Sequence, residues 1–434
     1  MDSTLLTTLR FHNSWLKEPD TQRSELLATL PKSYRRRGKE LELRAGRAEL
    51  VVGPRQAGKS TWIREALSRI ESPLLILHAE EPRIQELARS PALALDTLKG
   101  VLRADTVLFF EEIQHLPEAA LFLKGLVDLS PQRRIVATGS SSFALRARTR
   151  ESLAGRVRRT RLLPFSLAEA AGELRDDLVP AILEARLLEQ WEKLVVQGGY
   201  PETWSDPKPL QILHLLVEAF VLKDASDLRS VENPSVFRKL LEIAAADIGN
   251  LTNISEWASL AQTARPTATR YLEIAEETFI LRLVPPFVGG KRAEITGTPK
   301  VYFLDNGLRN VVFGGFAAAK ARADRGALWE NAVFAELMKQ VELLDEIFFW
   351  RSKNGAEVDF VVRRRGKMVA FEVKAGALRQ PKLSRSARSF LGAYQPACFA
   401  VINRALRHDV EVEGVMVRYC RPWEIAEMLA ELGE

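Results

Sequence analysis

The chain has 434 residues, a hydrophobic share of 46%, a charged share of 27% and a formal charge of +6. Those values fit a globular protein with several cores, and the small basic surplus permits a polyanionic partner without establishing one. No apolar run approaches the roughly 18–20 residues of a membrane helix, and the two cysteines are too few for a disulfide framework. With no secretion-signal succession at Met1-Asp2-Ser3-Thr4, a cytoplasmic protein without a membrane role is expected.

Residues 1–46 read as a helical arm with Leu5, Leu6, Leu9, Phe11 and Trp15 apolar. Its basic cluster, Tyr34 to Lys39, suits a solvated face better than a phosphate clamp. A short β-rich run, Ala48 to Val52, then leads into Gly53-Pro54-Arg55-Gln56-Ala57-Gly58-Lys59-Ser60-Thr61 and a helix from Trp62. Strand, glycine-rich turn and helix are the context that G-x-x-x-x-G-K-[ST] requires. Gly53 and Gly58 let successive N–H groups turn onto a phosphate; Lys59 reaches the β- and γ-phosphates, and Ser60 offers a hydroxyl to Mg²⁺. Residues 53–61 are therefore expected to bind ATP.

A second strand is expected at Pro73–His78 and a third at Thr106–Ile113, the latter carrying Glu111 and Glu112 at its polar end. A buried parallel strand delivers such groups at its carboxyl edge, where Glu111 would hold hydrated Mg²⁺ and Glu112 would polarise the attacking water. The strand Arg134–Thr138 leads to Ser140, either a γ-phosphate sensor or part of a serine-rich turn. Arg156, before the strand Val157–Leu163, is either an arginine finger for a neighbouring subunit or an unpartnered helix-end arginine.

Residues 166–230 read as helices suited to a lid over the nucleotide. Beyond them, Asn253–Ala261 and Pro266–Glu273 suit a helix-turn-helix, and the strands Phe279–Val284 and Lys300–Leu304 make it a winged helix. On DNA, Thr267, Thr269 and Arg270 would enter the major groove and Lys291 and Arg292 would touch phosphate. Glu273, Glu276 and Glu277 leave a protein-contact role equally open.

The last block places Glu330 early on a helix, Asp359 on one strand of a hairpin, and Glu372 and Lys374 two apart on the next strand, so that these two share a face. Two carboxylates, Asp359 and Glu372, with a lysine suit a divalent-metal site. The set looks like the restriction-endonuclease-like fold, whose signature is D, a gap, then E-x-K with an acid on the first helix. That resemblance implies a nuclease site of Glu330, Asp359, Glu372 and Lys374; a scaffold that binds nucleic acid without cutting is the alternative.

The order G-P-R-Q-A-G-K-S-T, F-F-E-E-I-Q-H-L-P, A-T-G-S-S-S, S-L-A-G-R-V, then Gly198-Gly199-Tyr200-Pro201-Glu202, resembles a large prokaryotic family of AAA-type ATPases with a C-terminal domain of unknown function. The likeness continues through Pro299 to Leu308 and Glu357 to Phe360, and so covers roughly residues 45–405. It implies an AAA-like P-loop core with a helical lid. The chain departs from the family at Glu111, usually Asp, and at Asn306, more often Thr.

The expected fold is α/β. It comprises an arm (1–46), a P-loop NTPase, AAA-like core (47–165), a helical lid (166–230), a winged helix (231–312) and a restriction-endonuclease-like domain (320–434). The expected function is ATP binding and hydrolysis acting on DNA, with binding or metal-dependent cleavage by the last domain. Two alternatives are a slow nucleotide-gated switch or scaffold, and a ring-forming translocase that remodels branched DNA. DNA is the expected partner, and a homo-oligomer such as a hexamer is open to the chain.

Overall fold

The structure, a computed structural model, describes residues 3–35, 37–139, 155–172, 179–219, 231–289, 297–342 and 344–432. They fall into two compact units, Met1–Pro164 and Phe165–Glu434.

In the first unit the helical arm supplies α1 (Ser3–His12) and α2 (Gln22–Ala28). Five strands follow, β1 (Ala48–Val52), β2 (Leu74–His78), β3 (Val107–Glu111), β4 (Ile135–Gly139) and β5 (Val157–Arg161). The helices among them are α3 (Lys59–Leu67), α4 (Pro82–Leu87), α5 (Pro91–Leu98) and α6 (Ala119–Leu129). The strands pair in parallel in the order β2-β3-β4-β1-β5. Strands β1, β3 and β4 are buried along their whole length, which is why they read as mostly apolar rather than alternating, with Glu49 inside β1 and Thr138 and Glu111 toward the ends of β4 and β3 as the polar exceptions. Because all five run the same way, Val52, His78, Glu111, Gly139 and Arg161 end at one carboxyl edge.

The arm has a definite task at the other side of this sheet, where β2 is an edge strand. Asn13 donates to the Ile76 carbonyl at 2.9 Å and accepts from the Ile76 N–H at 2.6 Å. The Trp15 indole donates to the Leu74 carbonyl at 2.9 Å, and Gln22 accepts from the Leu74 N–H at 2.8 Å. Side-chain amides thus do what a sixth strand would do, satisfying an open row of backbone groups that would otherwise invite pairing with another chain. Within the basic cluster, Arg37 is buried and donates to the Leu163 carbonyl, and Lys39 donates to Arg161 O at 2.9 Å. Both cations hold the exit of β5; Lys39 lies exposed, whereas Arg37 is buried rather than on the solvated face expected for the cluster.

The second unit opens with α7 (Leu167–Ala171), α8 (Pro180–Gln197) and α9 (Pro209–Ala219), the described part of the segment expected as a lid. Both α8 and α9 pack on α13 (Asn306–Phe313), inside this unit. Before α13 come α10 (Pro234–Ala246), α11 (Ile254–Leu260), α12 (Arg265–Glu277) and the antiparallel pair β6 (Leu281–Val284) and β7 (Lys300–Phe303). After it come α14 (Arg325–Gln340) and a six-stranded sheet, β8 (Glu346–Arg351), β9 (Glu357–Arg364), β10 (Lys367–Lys374), β11 (Cys398–Asn403), β12 (His408–Val412) and β13 (Val415–Cys420). The last two helices are α15 (Arg385–Tyr394) and α16 (Ile425–Glu431). The sheet order is β12-β13-β11-β10-β9-β8: an antiparallel meander through β8, β9 and β10, then parallel pairs to β11 and β13. The expected α/β class therefore holds, with a parallel phosphate-loop core and a C-terminal β-rich domain.

The segment Leu304 to Leu308 knits this unit together. Asp305 caps α13 by accepting from Leu308 N–H at 3.0 Å, and it also accepts from Gly199 N–H at 2.7 Å. A Cβ on Gly198 would fall 2.0 Å from the Asp305 carboxylate, and one on Gly307 would fall 2.0 Å from the Gln197 carbonyl. Asn306 donates to the Val195 and Leu328 carbonyls, so its amide makes contacts that a threonine could not duplicate. The Gly-Gly and Asp-Asn-Gly signatures are thus packing devices.

Candidate functional site

The cradle begins where β1 ends. Gln56 and Gly58 both take the left-handed conformation, at φ +57° and +85°, and α3 starts at the next residue, Lys59. This brings the loop's N–H groups and the positive end of α3 around one point. Gly53 is glycine for a nearer reason: a Cβ there would meet the Leu162 carbonyl oxygen at 2.0 Å. The Lys59 ammonium is buried and donates to the carbonyls of Gly53 at 3.1 Å and Pro54 at 3.0 Å. Those acceptors are neutral, so phosphate oxygens can replace them at a gain in charge pairing. Pro54, Arg55 and Ala57 complete the turn, and Ser60 and Thr61 lie partly exposed on the first turn of α3. The residue types and their arrangement fit a triphosphate with its metal ion.

Two strands from β1, the carboxylate of Glu111 is 6% exposed and already engaged. Arg64 of α3 donates to it at 2.7 Å, and His78 Nε2 lies 3.2 Å away. His12 of the arm lies over the His78 ring at 4.1 Å between centroids and meets Glu81 at 3.2 Å. Burial pushes the His78 imidazole below its usual value, and the opposing charge of Glu111 only partly offsets this. Glu112 takes a left-handed conformation at φ +52°, its carboxylate accepts from Gln114 at 2.6 Å, and its N–H donates to the Thr138 hydroxyl at 2.9 Å. Arg64, His78 and Thr138 were missed in the sequence, although Thr138, a polar residue closing an apolar strand, carried a readable signal. Ser140 lies outside the described residues.

Arg156 precedes β5 and its guanidinium meets Asp128 at 2.6 Å. The register Ala48↔Val157 puts it at the amino edge of the sheet, one five-residue strand, or about 16 Å, from the edge that carries the cradle. It therefore cannot serve the nucleotide of its own chain.

In the second unit, α14 supplies Glu330, β9 supplies Asp359, and β10 supplies Glu372 and Lys374. The Lys374 ammonium lies 2.7 Å from Glu372, as their spacing on one face requires. Glu372 also accepts from the Ser384 hydroxyl at 3.1 Å, and Asp359 from the Val373 N–H at 2.7 Å. Two further residues enter from β7. Tyr302 donates to Glu330 at 2.5 Å, and Lys300 lies 3.6 Å from Glu330 and forms a shorter ion pair with Glu357. Burial, then the charge of Glu330, pushes the Asp359 carboxyl well above the usual carboxylate range. Burial works to lower Lys374, but its hydrogen bond to Glu372 and that residue's charge outweigh it, and the net direction is upward. Among the described residues no group of three or more His, Cys, Asp and Glu side chains is arranged to hold a metal ion.

Of the residues expected on DNA, Thr269 turns its hydroxyl to the Arg265 carbonyl of its own helix at 3.0 Å, and Arg270 meets Glu232 at 3.3 Å. Thr267 lies on the first turn of α12, partly exposed. Lys291 and Arg292 lie outside the described residues. No helix among the described residues is long and apolar enough to cross a membrane.

Residues 45–171 match the model of an AAA domain, and residues 188–319 and 325–420 match those of two domains of unknown function, DUF8612 and DUF4143. An uncharacterized protein of Mycobacterium tuberculosis is 28% identical over 360 residues, covering 81% of this chain and 75% of the relative. One of Methanocaldococcus jannaschii is 24% identical over 335 residues, 74% of each chain. A mutant of Thermotoga maritima RuvB aligns at 16% identity and a TM-score of 0.28 over 55% of this chain and 83% of that one. The chain thus carries an AAA domain at residues 45–171, followed by two domains of unknown function.

Proposed function

We propose that the chain binds Mg-ATP at residues 53–61, hydrolyses it, and couples the cycle to work on DNA through its C-terminal unit. One observation carries the nucleotide reading: the buried Lys59 ammonium rests on two neutral loop carbonyls beside the left-handed Gly58. Lys59 would offset charge on the β- and γ-phosphates. Ser60 and Glu111 would hold the metal ion, and Glu112 would orient the attacking water. The bound Mg²⁺ would neutralise charge on the phosphate oxygens. Arg156, held at the far edge of its own sheet, would serve the nucleotide of a neighbouring copy.

A second reading, a slow nucleotide-gated switch, is favoured by Glu111, whose carboxylate is tied to Arg64 and His78. Steady-state hydrolysis with single-stranded, duplex and branched DNA separates the two. The motor reading expects a rate raised several-fold by at least one DNA form. A rate indifferent to every form, with a partner protein held only in the ATP state, would replace it with the switch.

A further inference from the structure

We propose that Lys300 is the resident cation of the carboxylate cluster on α14, β9 and β10. In the charge role a divalent metal ion would have, it keeps the nuclease-like site assembled and closed to metal. The inference rests on reading Glu330, Asp359, Glu372 and Lys374 as a nuclease-like set, and is independent of ATP.

Lys300 comes from outside that set. It opens β7, the strand paired with β6, and an isolated bridge from Leu251 also ends on it. Its side chain is only 3% exposed. Ammonium groups are almost never buried to that degree without partners. The partners are Glu357, in direct ion pairing, and Glu330 at 3.6 Å, with the Phe349 ring at 5.5 Å from the ammonium. Burial alone would drive this amine toward its neutral form, yet the charges of Glu330 and Glu357 hold it cationic.

Each of the other carboxylates is engaged by at least one of the protein's own donors. Glu330 takes the Tyr302 hydroxyl, Asp359 the Val373 N–H, and Glu372 the Lys374 ammonium and the Ser384 hydroxyl. Gly249, left-handed at φ +75°, brings backbone against Glu330: a Cβ there would lie 3.2 Å from its carboxylate. A metal ion entering this cluster therefore competes with these donors and meets the Lys300 ammonium already paired with Glu330 and Glu357. This accounts for the lack of a metal-ready triad among the described residues.

The test uses nucleotide-free full-length protein and Mn²⁺, read by calorimetry and by thermal unfolding. Wild type is expected to show no Mn²⁺ response that Asp359→Asn removes. Lys300→Met is expected to unfold at lower temperature without metal, to bind Mn²⁺ at least about tenfold tighter than wild type, and to regain unfolding temperature as it does so. Adding Asp359→Asn to Lys300→Met should abolish that gain. A wild-type Mn²⁺ response lost in Asp359→Asn overturns the proposal, as does a folded Lys300→Met that gains no Mn²⁺ affinity. Should Lys300→Met not fold, Lys300→Met with Glu357→Gln removes one of the two stranded acids, and the wild-type arm decides the matter by itself. Mg-ATP binding measured on the same preparations reports on the cradle alone, so a failure there is not confused with a failure here.

Discussion

At the phosphate cradle, nine consecutive residues, 53–61, supply backbone N–H groups, one lysine and the start of a helix. The carboxylate cluster draws Lys300 and Tyr302 from β7, Glu330 from α14, Glu357 and Asp359 from β9, and Glu372 and Lys374 from β10. The first is a backbone device, formed as soon as a strand, a turn and a helix exist in sequence. The second exists only after distant elements have packed. A site of the first kind keeps its shape when a side chain is lost and forfeits only that side chain's chemistry. A site of the second kind depends on every pair that holds its elements in place.

The largest effect should come from Lys59→Ala. The backbone cradle stays, so folding should be intact, but the motif's one ammonium is gone. Phosphate release from Mg-ATP should fall by roughly a hundred- to a thousandfold, the size seen when one preorganised charge-stabilising donor is removed. Turnover within a few-fold of wild type would remove the cradle from the catalytic account.

The second unit should instead be broken at its supports. Asp324, just before α14, accepts from Arg309 at 2.6 Å and from Arg322 at 2.8 Å. Arg309 is 1% exposed, so Asp324→Asn leaves a buried guanidinium without its counter-charge, at a cost of about 3 kcal/mol in chemical denaturation. The hydrogen bond from Arg322, with Arg309 adding to it against burial, lowers the Asp324 carboxyl from 3.8 to about 2. A depressed acid stabilises above its unfolded value, so this contribution should be complete above pH 3.8 and fade as the pH falls through about 2. Asp324→Asn should remove that part of the acid-induced loss; an unchanged acid profile and unchanged stability would show α14 to be held by other means.

The same contrast explains what was legible in the sequence. The cradle could be read outright, and so could Glu372 and Lys374, because two residues apart on a strand must share a face. Lys300 and Tyr302 could not be assigned to the cluster, since they sit in a strand read as the wing of another domain. Yet a lysine opening the apolar run Val301 to Leu304 was a warning that an acidic partner had to be near. Asn13 and Gln22 gave no warning at all: amides on a surface arm look the same whether they face water or clamp the edge of β2.

Glu111→Asp probes a point where side chains act on the cradle and should give the smallest of these effects. Glu111 has a longer side chain than Asp, and it ends on Arg64 at 2.7 Å and His78 at 3.2 Å. Removing one methylene withdraws the carboxylate from both partners, because a hydrogen bond stretched by about 1 Å is no longer one. If the arginine and histidine hold this acid back from the metal ion, Glu111→Asp should raise ATP turnover a few-fold and lower the Mg²⁺ concentration needed for half-maximal rate. If they instead aim it, turnover should fall while the Mg²⁺ requirement rises. Arg64→Met separates the cases further, since it removes the stronger of the two partners without shortening Glu111: a raised rate in both variants marks a latch, and a lowered rate in both marks a guide. A latch would place the slow step of the cycle in side chains outside the nine-residue motif, where the motif's own sequence gives no sign of it.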